Sequence, residues 1–579
     1  MTIDPITLAV IDNGLRQVAT EMDVAFERMA FSPVIAESRD RASGIYDADN
    51  GEVIVQGETG LPIFIGVMQF TTQSVLRKFG QLAEGDVVIV NDPFAGGTHV
   101  MDMRMMAPVY HDGALFAYVA NTGHWVDMGG AVPGGFGASL TEAQQEGLRL
   151  PPMRLYDKGV LNEDLVELIM SNIRMPEMQR GDLRAQVAAL WVGKKRLTSL
   201  LDRYGADLVG RCIAELRQRS ERLVLNRLST LPTGTTSFET ALDNDGVAPG
   251  PLHVRLDLTV SPDRLVFDFS RSSPPCRGPL NSVISTTTSA VYIALKHLFL
   301  EIPINAGFFQ PITVIAPETT FLNASHPKPV SGCAAEVAQR VVDAVFGAMA
   351  KLSHTDACAA PFGTSANLSI AGEDPKTGRP YVMYLFSGGG YGGHRHGDGL
   401  SNAASSIGIA KSTPIETIEQ RFPIRFDYFR LREDSGGAGT SRGGLGIEYG
   451  VRLLRGDATA AALMDRGMSG PFGIAGGGEG AKTYVRTIRG GTSSALPLVT
   501  KGDGLKLAPG DRIEVGTPGG GGFGAPRMRS ATSVGNDIAQ GYVSRSSAHT
   551  LYGSDPAAAK GRSSATANVE EARETLDSE

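Results

Sequence analysis

Residues 86–102 read Asp86-Val87-Val88-Ile89-Val90-Asn91-Asp92-Pro93-Phe94-Ala95-Gly96-Gly97-Thr98-His99-Val100-Met101-Asp102. The run Asp86–Asn91, with four aliphatic residues between polar ends, reads as a buried strand. The Gly96-Gly97 pair reads as a loop. That loop frees His99 from strand alternation, in which residues three apart point to opposite faces. A second apolar strand is expected at Ala114–Ala120, able to pair with the first. His124 lies just past it, in Gly123-His124-Trp125-Val126-Asp127, where a loop residue can turn inward. Neutral imidazole and carboxylate are the ligand set of Zn, Mn or Fe, so His99, Asp102 and His124 are candidate metal ligands. Their spacing alone fits hydrogen-bonded structural groups better than a metal site. Asp40, in Glu37-Ser38-Arg39-Asp40-Arg41, is either a further carboxylate ligand or part of a surface ion cluster.

Upstream, Asp4-Pro5 is a helix start, and Val18, Met22, Ala25 and Met29 follow at helical spacing up to a stop near Ser32-Pro33. Residues 40–66 read as short strands with turns at Asp49-Asn50-Gly51 and Gly60-Leu61-Pro62. Downstream, residues 162–228 are rich in charge and poor in glycine, which predicts helices. Strands return from about residue 250, and Ser285–Leu300 and Val337–Leu352 read as apolar helices. Beyond about residue 380 the pattern is β, punctuated by glycine runs at 388–393, 436–446, 475–480 and 519–524. The expected fold class is α/β (α+β), multidomain with mixed sheets. Its expected regions are 1–160, an α/β region with the metal candidates; 161–235, a helical insert; 236–375, α/β; 376–526, glycine-rich β; and 527–579, a poorly ordered tail with a short helix at 565–576.

The chain has 579 residues, too many for one simple core. Its net charge of −8 makes it a poor nucleic-acid or membrane-surface binder. The 71 glycines show no Gly-X-Y period, so collagen is excluded. Four cysteines with no C-x-x-C pair make neither a disulfide framework nor a cysteine zinc site. With no signal peptide or 18-residue apolar window, the expected location is cytoplasmic. Gly439-Thr440-Ser441-Arg442-Gly443 fits G-x-S-x-G but lacks the strand and helix of a nucleophile elbow. The runs at 388–393 and 519–524 fit G-x-G-x-x-G without a following helix, and no P-loop is present. His394 and His396 alternate within a glycine loop and read as an exposed pair or an anion or metal site.

Several of these segments together resemble the hydantoinase B/oxoprolinase family. They are Asp4-Pro5-Ile6-Thr7-Leu8, Ala30-Phe31-Ser32-Pro33, Arg39-Asp40, Asn91 to His99, Arg277-Gly278-Pro279-Leu280-Asn281, Ile302 to Gly307, Asp434 to Gly439 with Arg442-Gly443-Gly444, and Gly519 to Gly524. The resemblance covers about residues 4–526. It implies one divalent metal ion (Zn, Mn or Fe) on His99, Asp102 and His124, with Asp40 as fourth ligand. It places Asp127 beside a ligand histidine and leaves Asp127 or Asp92 as general base. It implies the B subunit of an ATP-dependent hydrolase of a small cyclic amide, working with a hydantoinase A-type subunit that uses ATP and Mg to phosphorylate the amide oxygen. The B subunit would supply a metal-bound hydroxide, in a heterotetramer or larger assembly. The alternatives are a subunit of an acetone- or acetophenone-type carboxylase, or a non-catalytic scaffold. Gly60, Phe64 and Trp125 stand where many relatives have His, and Gly332-Cys333-Ala334-Ala335-Glu336 stands where many have Asn. These departures imply a less polar substrate and no second metal.

Overall fold

The computed structural model describes residues 3–353 and 357–554. Helix α1 (Pro5–Met29) starts where Asp4 accepts a hydrogen bond from the backbone N–H of Thr7 at 2.9 Å. Its buried stripe of Leu8, Ile11, Leu15, Val18, Ala19, Met22 and Phe26 follows the helical period, while Met29 is exposed. A short helix, α2 (Pro33–Ala36), leads into strands β1 (Arg41–Asp47) and β2 (Val53–Gln56). Helix α3 (Ile63–Phe79) then replaces the strand expected up to residue 66. A short apolar run such as Ile63–Met68 looks alike in a buried helix and a buried strand, and here the turn at Gly60-Leu61-Pro62 feeds a helix that packs on the helix at 284–298.

Strands β3 (Val87–Val90), β4 (Asp102–His111), β5 (Ala114–His124), β6 (Met153–Asp157) and β7 (Val160–Leu161) complete a seven-stranded antiparallel sheet of order β2-β1-β5-β4-β3-β6-β7. The strand at 86–91 therefore does not pair with the one at 114–124; β4 lies between them. Asp112 and Gly113, at φ 50° and 78°, close the β4–β5 hairpin in the left-handed conformation that two-residue turns require.

The helical segment at 162–228 is present as α4 (Glu163–Ser171), α5 (Pro176–Tyr204) and α6 (Ala206–Leu228). Helix α5 lies along α1 and over β4 and β5. Strands β8 (Gly234–Asn244), β9 (Pro249–Val260), β10 (Leu265–Asp268) and β11 (Ile312–Ile315) form a sheet in which β10 and β11 are parallel. Helices α7 (Ile284–Leu298), α8 (Ala306–Phe309) and α9 (Ala338–Leu352) accompany it. α9 is buried on every side from Ala338 to Ala350, more than the single face its pattern suggests. One apolar core runs from Leu8 through these elements to Leu463.

A second core lies between two antiparallel sheets. Strands β12 (Asn367–Asp374), β13 (Arg379–Leu385), β16 (Ala458–Leu463) and β19 (Lys501–Leu507) make one. Strands β14 (Ile424–Leu431), β15 (Ile447–Leu453), β17 (Tyr484–Arg489), β18 (Thr492–Ala495) and β20 (Arg512–Gly516) make the other, with helix α10 (Ile415–Arg421) leading into β14. The four glycine runs meet beside these sheets. The Gly390 N–H donates to Pro518, that of Gly437 to Gly520, that of Gly520 to Gly444 and that of Gly522 to Gly478, at 2.8–3.0 Å. A Cβ on Gly443 would lie 1.9 Å from the carbonyl oxygen of Gly520, so backbone packs directly on backbone. Ser441 is part of this stack, bridged to Phe523, and no nucleophile elbow forms.

The expected poorly ordered tail is corrected between 531 and 552. Helices α11 (Ala531–Ala539) and α12 (Arg545–Tyr552), each capped by a serine, bury Val534, Val543, Ala548 and Tyr552 against Ala438. The polar composition hid a small apolar stripe. The helix expected at 565–576 lies outside the described residues. Among the described residues no helix is long and apolar enough to cross a membrane.

Candidate functional site

The loop from Asn91 to Val100 is held from inside. Asn91 donates to the carbonyls of Val100 and Leu148 at 2.7 and 2.9 Å. The buried Arg104 donates to Thr71 and to the carbonyl of Asp92 at 2.7 and 2.9 Å. Gly96, at φ 82°, turns the chain, and Ser285 and Thr286 of α7 hold the Gly97 carbonyl. The Asp102 N–H then donates back to the His99 carbonyl at 3.2 Å, which folds His99 over the first residue of β4. His124 is the last residue of β5 rather than a loop residue, directly opposite Asp102 in the ladder. Its N–H donates to the Asp40 carbonyl at 3.0 Å, which brings Asp40 in from the end of β1. Arg39 beside it sits at φ 61°.

His99, Asp102 and His124 are buried, and each offers a ligand atom within 4.8 Å of the others. His99 Nε2 lies 3.4 Å from Asp102 Oδ2, and His124 Nδ1 lies 3.4 Å from Asp102 Oδ1 and 4.0 Å from Asp40 Oδ2. Thr98 donates to Asp102 Oδ2. His99 Nδ1, Asp102 Oδ1 and His124 Nε2 are buried without a hydrogen-bond partner. Two imidazoles and a carboxylate that bring one ligand atom each to within 4.8 Å of the others in a buried place fit a divalent cation. Among the described residues this is the one such grouping of three or more; His394 and His396 do not join another ligand.

Burial pushes the His99 pKa down to about 4, against the pull of Asp102, so this ring is the neutral form that a metal requires. Burial also disfavours charge on His124, but the adjacent carboxylates of Asp102 and Asp40 outweigh it and raise its pKa. Burial works against the Asp102 carboxylate too, yet His99 and His124 hold its pKa below the ordinary value. Asp40 is pushed up to about 7 by burial and by the charge of Asp102, with His124 opposing.

Neither expected general base faces this cluster. Asp127 spends its carboxylate on the N–H groups of Gly129, Gly134 and Arg174 and on the Arg174 guanidinium at 2.8 Å. It shapes the loop that delivers Phe136 to the site and bonds to no ligand histidine. Asp92 caps the turn at Phe94 and pairs with Arg149 at 3.1 Å. Both carboxylates satisfy loop backbone, the commonest work of Asp in a tight turn. Trp125 is buried, and its indole N–H donates to Gln186 of α5.

Sequence reasoning missed the opposite wall. The rings of His124, Phe136 and Tyr384 lie nearly parallel with centroids 5.2–5.8 Å apart, and His99 meets His124 and Phe136 edge-on. Tyr384 comes from β13, whose Tyr381, Met383 and Leu385 point into the second core. An unbroken apolar or aromatic run from Tyr381 to Leu385 was the available signal, because it means cover on both faces. A cavity of about 50 Å³ remains, closed by Phe64, Phe136, Asn367, Tyr384 and Ile407. Among the described residues no lysine or arginine lines it.

A family model described as hydantoinase B/oxoprolinase matches residues 4–526. The chain is 32% identical to the caprolactamase subunit beta of Pseudomonas jessenii over 567 residues, covering 95% of this chain and 96% of that one. The crystal structure of ATP-dependent caprolactamase from that organism superposes with a TM-score of 0.88 at 30% identity, over 99% of both chains. An acetone carboxylase structure shares the fold, with a TM-score of 0.87 at 18% identity, over all of this chain and 84% of that one. The matched residues build both cores and the buried His–Asp cluster: the chain belongs to the hydantoinase B/oxoprolinase family.

Proposed function

We propose that this chain is the metal-bearing subunit of an ATP-dependent enzyme that opens small cyclic amides, working with a separate ATP-binding subunit. The observation that carries the reading is the buried His99–Asp102–His124 cluster in a chain that matches a caprolactamase subunit over nearly its whole length. The name of that relative, a subunit beta, supports a partner chain for this one. In our reading His99, Asp102 and His124 hold one divalent ion and Asp40 stands beside them as a fourth ligand. Such an ion supplies Lewis acidity, which activates water at neutral pH and polarises an amide oxygen.

The chain's own residues do the rest. His99 presents a neutral ring, and Asp102 stands between the two histidines, with one oxygen 3.4 Å from His99 Nε2 and the other 3.4 Å from His124 Nδ1. Phe136 and Tyr384 cover the outer side of the cluster and exclude water. Among the described residues no lysine or arginine lines the cavity, which favours a neutral ring over a substrate that carries a carboxylate.

The test is a reconstituted complex of this chain with its ATP-binding partner, assayed on lactams, hydantoins and 5-oxoproline with and without bicarbonate. Ring opening that needs ATP and is abolished by His124→Ala is the expected result. Turnover of a ketone that consumes bicarbonate would replace this reading with a carboxylase. Ring opening unchanged by His124→Ala would leave the chain a scaffold.

A further inference from the structure

The wall facing the metal-ligand cluster carries a hydrogen-bond donor with nothing to bind. Asn367 opens β12 immediately after Ala366, whose backbone sits at φ 49°, a left-handed conformation that residues other than glycine rarely adopt. Strain of this kind persists where the surroundings impose it, and it collects at functional sites. Here the Ala366 N–H is tied to Thr364 Oγ1 at 3.0 Å, and Asn367 enters the ladder opposite Leu463. The Asn367 side chain lines the same small cavity as His99, Asp102 and His124.

Tyr384 engages the oxygen of this amide. Its ring stacks on His124 with centroids 5.2 Å apart, and its hydroxyl donates to Asn367 Oδ1 at 2.8 Å. With Oδ1 engaged, the amide presents Nδ2 on its other side. Asn367 is only 1% exposed, and its Nδ2 has no hydrogen-bond partner. A buried N–H₂ left unpaired is costly, so a folded chain keeps one where a ligand completes it. An acceptor-only group in a cavity without lysine or arginine is the matching chemistry.

We propose that Asn367 Nδ2 donates a hydrogen bond to the carbonyl oxygen of the ring amide, and that Tyr384 is the positioning residue that turns Nδ2 toward it. The inference rests on the cyclic-amide reading for the identity of the acceptor. Attack at an amide carbon moves negative charge onto that oxygen, so a donor fixed beforehand gains strength as the reaction proceeds.

Binding to the chain alone, loaded with its metal, tests this without turnover. The probe is ε-caprolactam, measured by calorimetry, and by infrared difference spectra of the ¹³C=O-labelled compound. Wild type is expected to bind it with the carbonyl band shifted to lower wavenumber. Asn367→Ala is expected to weaken binding about tenfold and to remove that shift. The near-isosteric Asn367→Asp, which removes the donor, is expected to do the same, and it serves if the alanine variant does not fold. Tyr384→Phe is expected to weaken binding about threefold, and to add nothing on top of Asn367→Ala. Metal content and melting temperature of each variant report whether the fold is kept. The proposal is overturned if wild type does not bind caprolactam, if the bound carbonyl band is unshifted, or if folded Asn367 variants bind like wild type. Asn367-dependent binding in a complex that opens no ring would sink the cyclic-amide reading and leave the donor assignment standing.

Discussion

Asp102 and His124 stand opposite each other in the β4–β5 ladder, with Asp102 Oδ1 3.4 Å from His124 Nδ1. The pairing is set ten residues away. The Asp112-Gly113 turn, together with one irregularity between Val109 and Tyr110, fixes the register of the hairpin. Two residues 22 positions apart in sequence are thereby made neighbours.

Elemental analysis of wild type should find about one divalent ion per chain, and His124→Ala and Asp102→Asn should lose it. An ion present at about 100 times its dissociation constant contributes about 2.7 kcal/mol to the folded state. Chelation should therefore lower the melting temperature of wild type and leave that of His124→Ala unchanged. Equal chelator sensitivity in both proteins would place the ion elsewhere.

Glu146 makes stability fall with rising pH. It is fully buried, it accepts from the N–H groups of Val330 and Ser331, and burial pushes its pKa up to about 8 from an ordinary 4.5. Between those values the folded chain keeps a proton that the unfolded chain has released. The stabilisation is complete below about pH 4.5 and is lost as pH rises to about 8, a change of up to about 5 kcal/mol at about 1.4 kcal/mol per pH unit. Denaturation midpoints at pH 5 and pH 8.5 should differ in wild type, and Glu146→Gln should remove this component of the slope.

Asp343 lies between two buried guanidinium groups, those of Arg340 and Arg466. Asp343→Asn leaves both cations without that carboxylate and should cost about 3–5 kcal/mol, read from urea unfolding. Arg466→Met should cost less, because Arg340 keeps both Asp343 and, at 3.6 Å, Asp465.

Two glycines of the stacked runs should respond oppositely to alanine. At Gly443 the new methyl would meet a backbone oxygen at 1.9 Å, and nothing there can swing aside, so a loss of about 3 kcal/mol or more is expected. At Gly478 the nearest atom would be 3.6 Å away, an ordinary contact, and Gly478→Ala should be nearly neutral. A comparable loss at both sites would mean that the runs do not pack as described.

Local chemistry made much of this molecule legible in advance. The capped N-terminal helix, the strand at 87–90, the helices between 163 and 228 and the role of glycine as punctuation follow from residues that lie within a few positions of each other. His99, Asp102 and His124 were legible for the same reason, since one loop and one hairpin bring them together. Asp127 and Asp92 bond to loop backbone apart from the cluster, and the sequence does not tell the two situations apart, because a carboxylate in a loop has the same composition whether it serves a substrate or a neighbouring N–H.

The sequence by itself determined the family, the α/β class and the polar half of the site, because each of those is written in short-range spacing and turn chemistry. Only the tertiary structure decided the other half. Phe136, Asn367 and Tyr384 reach the cluster from segments up to 285 residues beyond His99, carried there by the burial of two cores whose pairing no local pattern encodes. The same burial leaves Asn367 Nδ2 without a partner and moves the pKa values of His99 and Asp40, since desolvation depends on everything that surrounds a group and not on its neighbours in sequence.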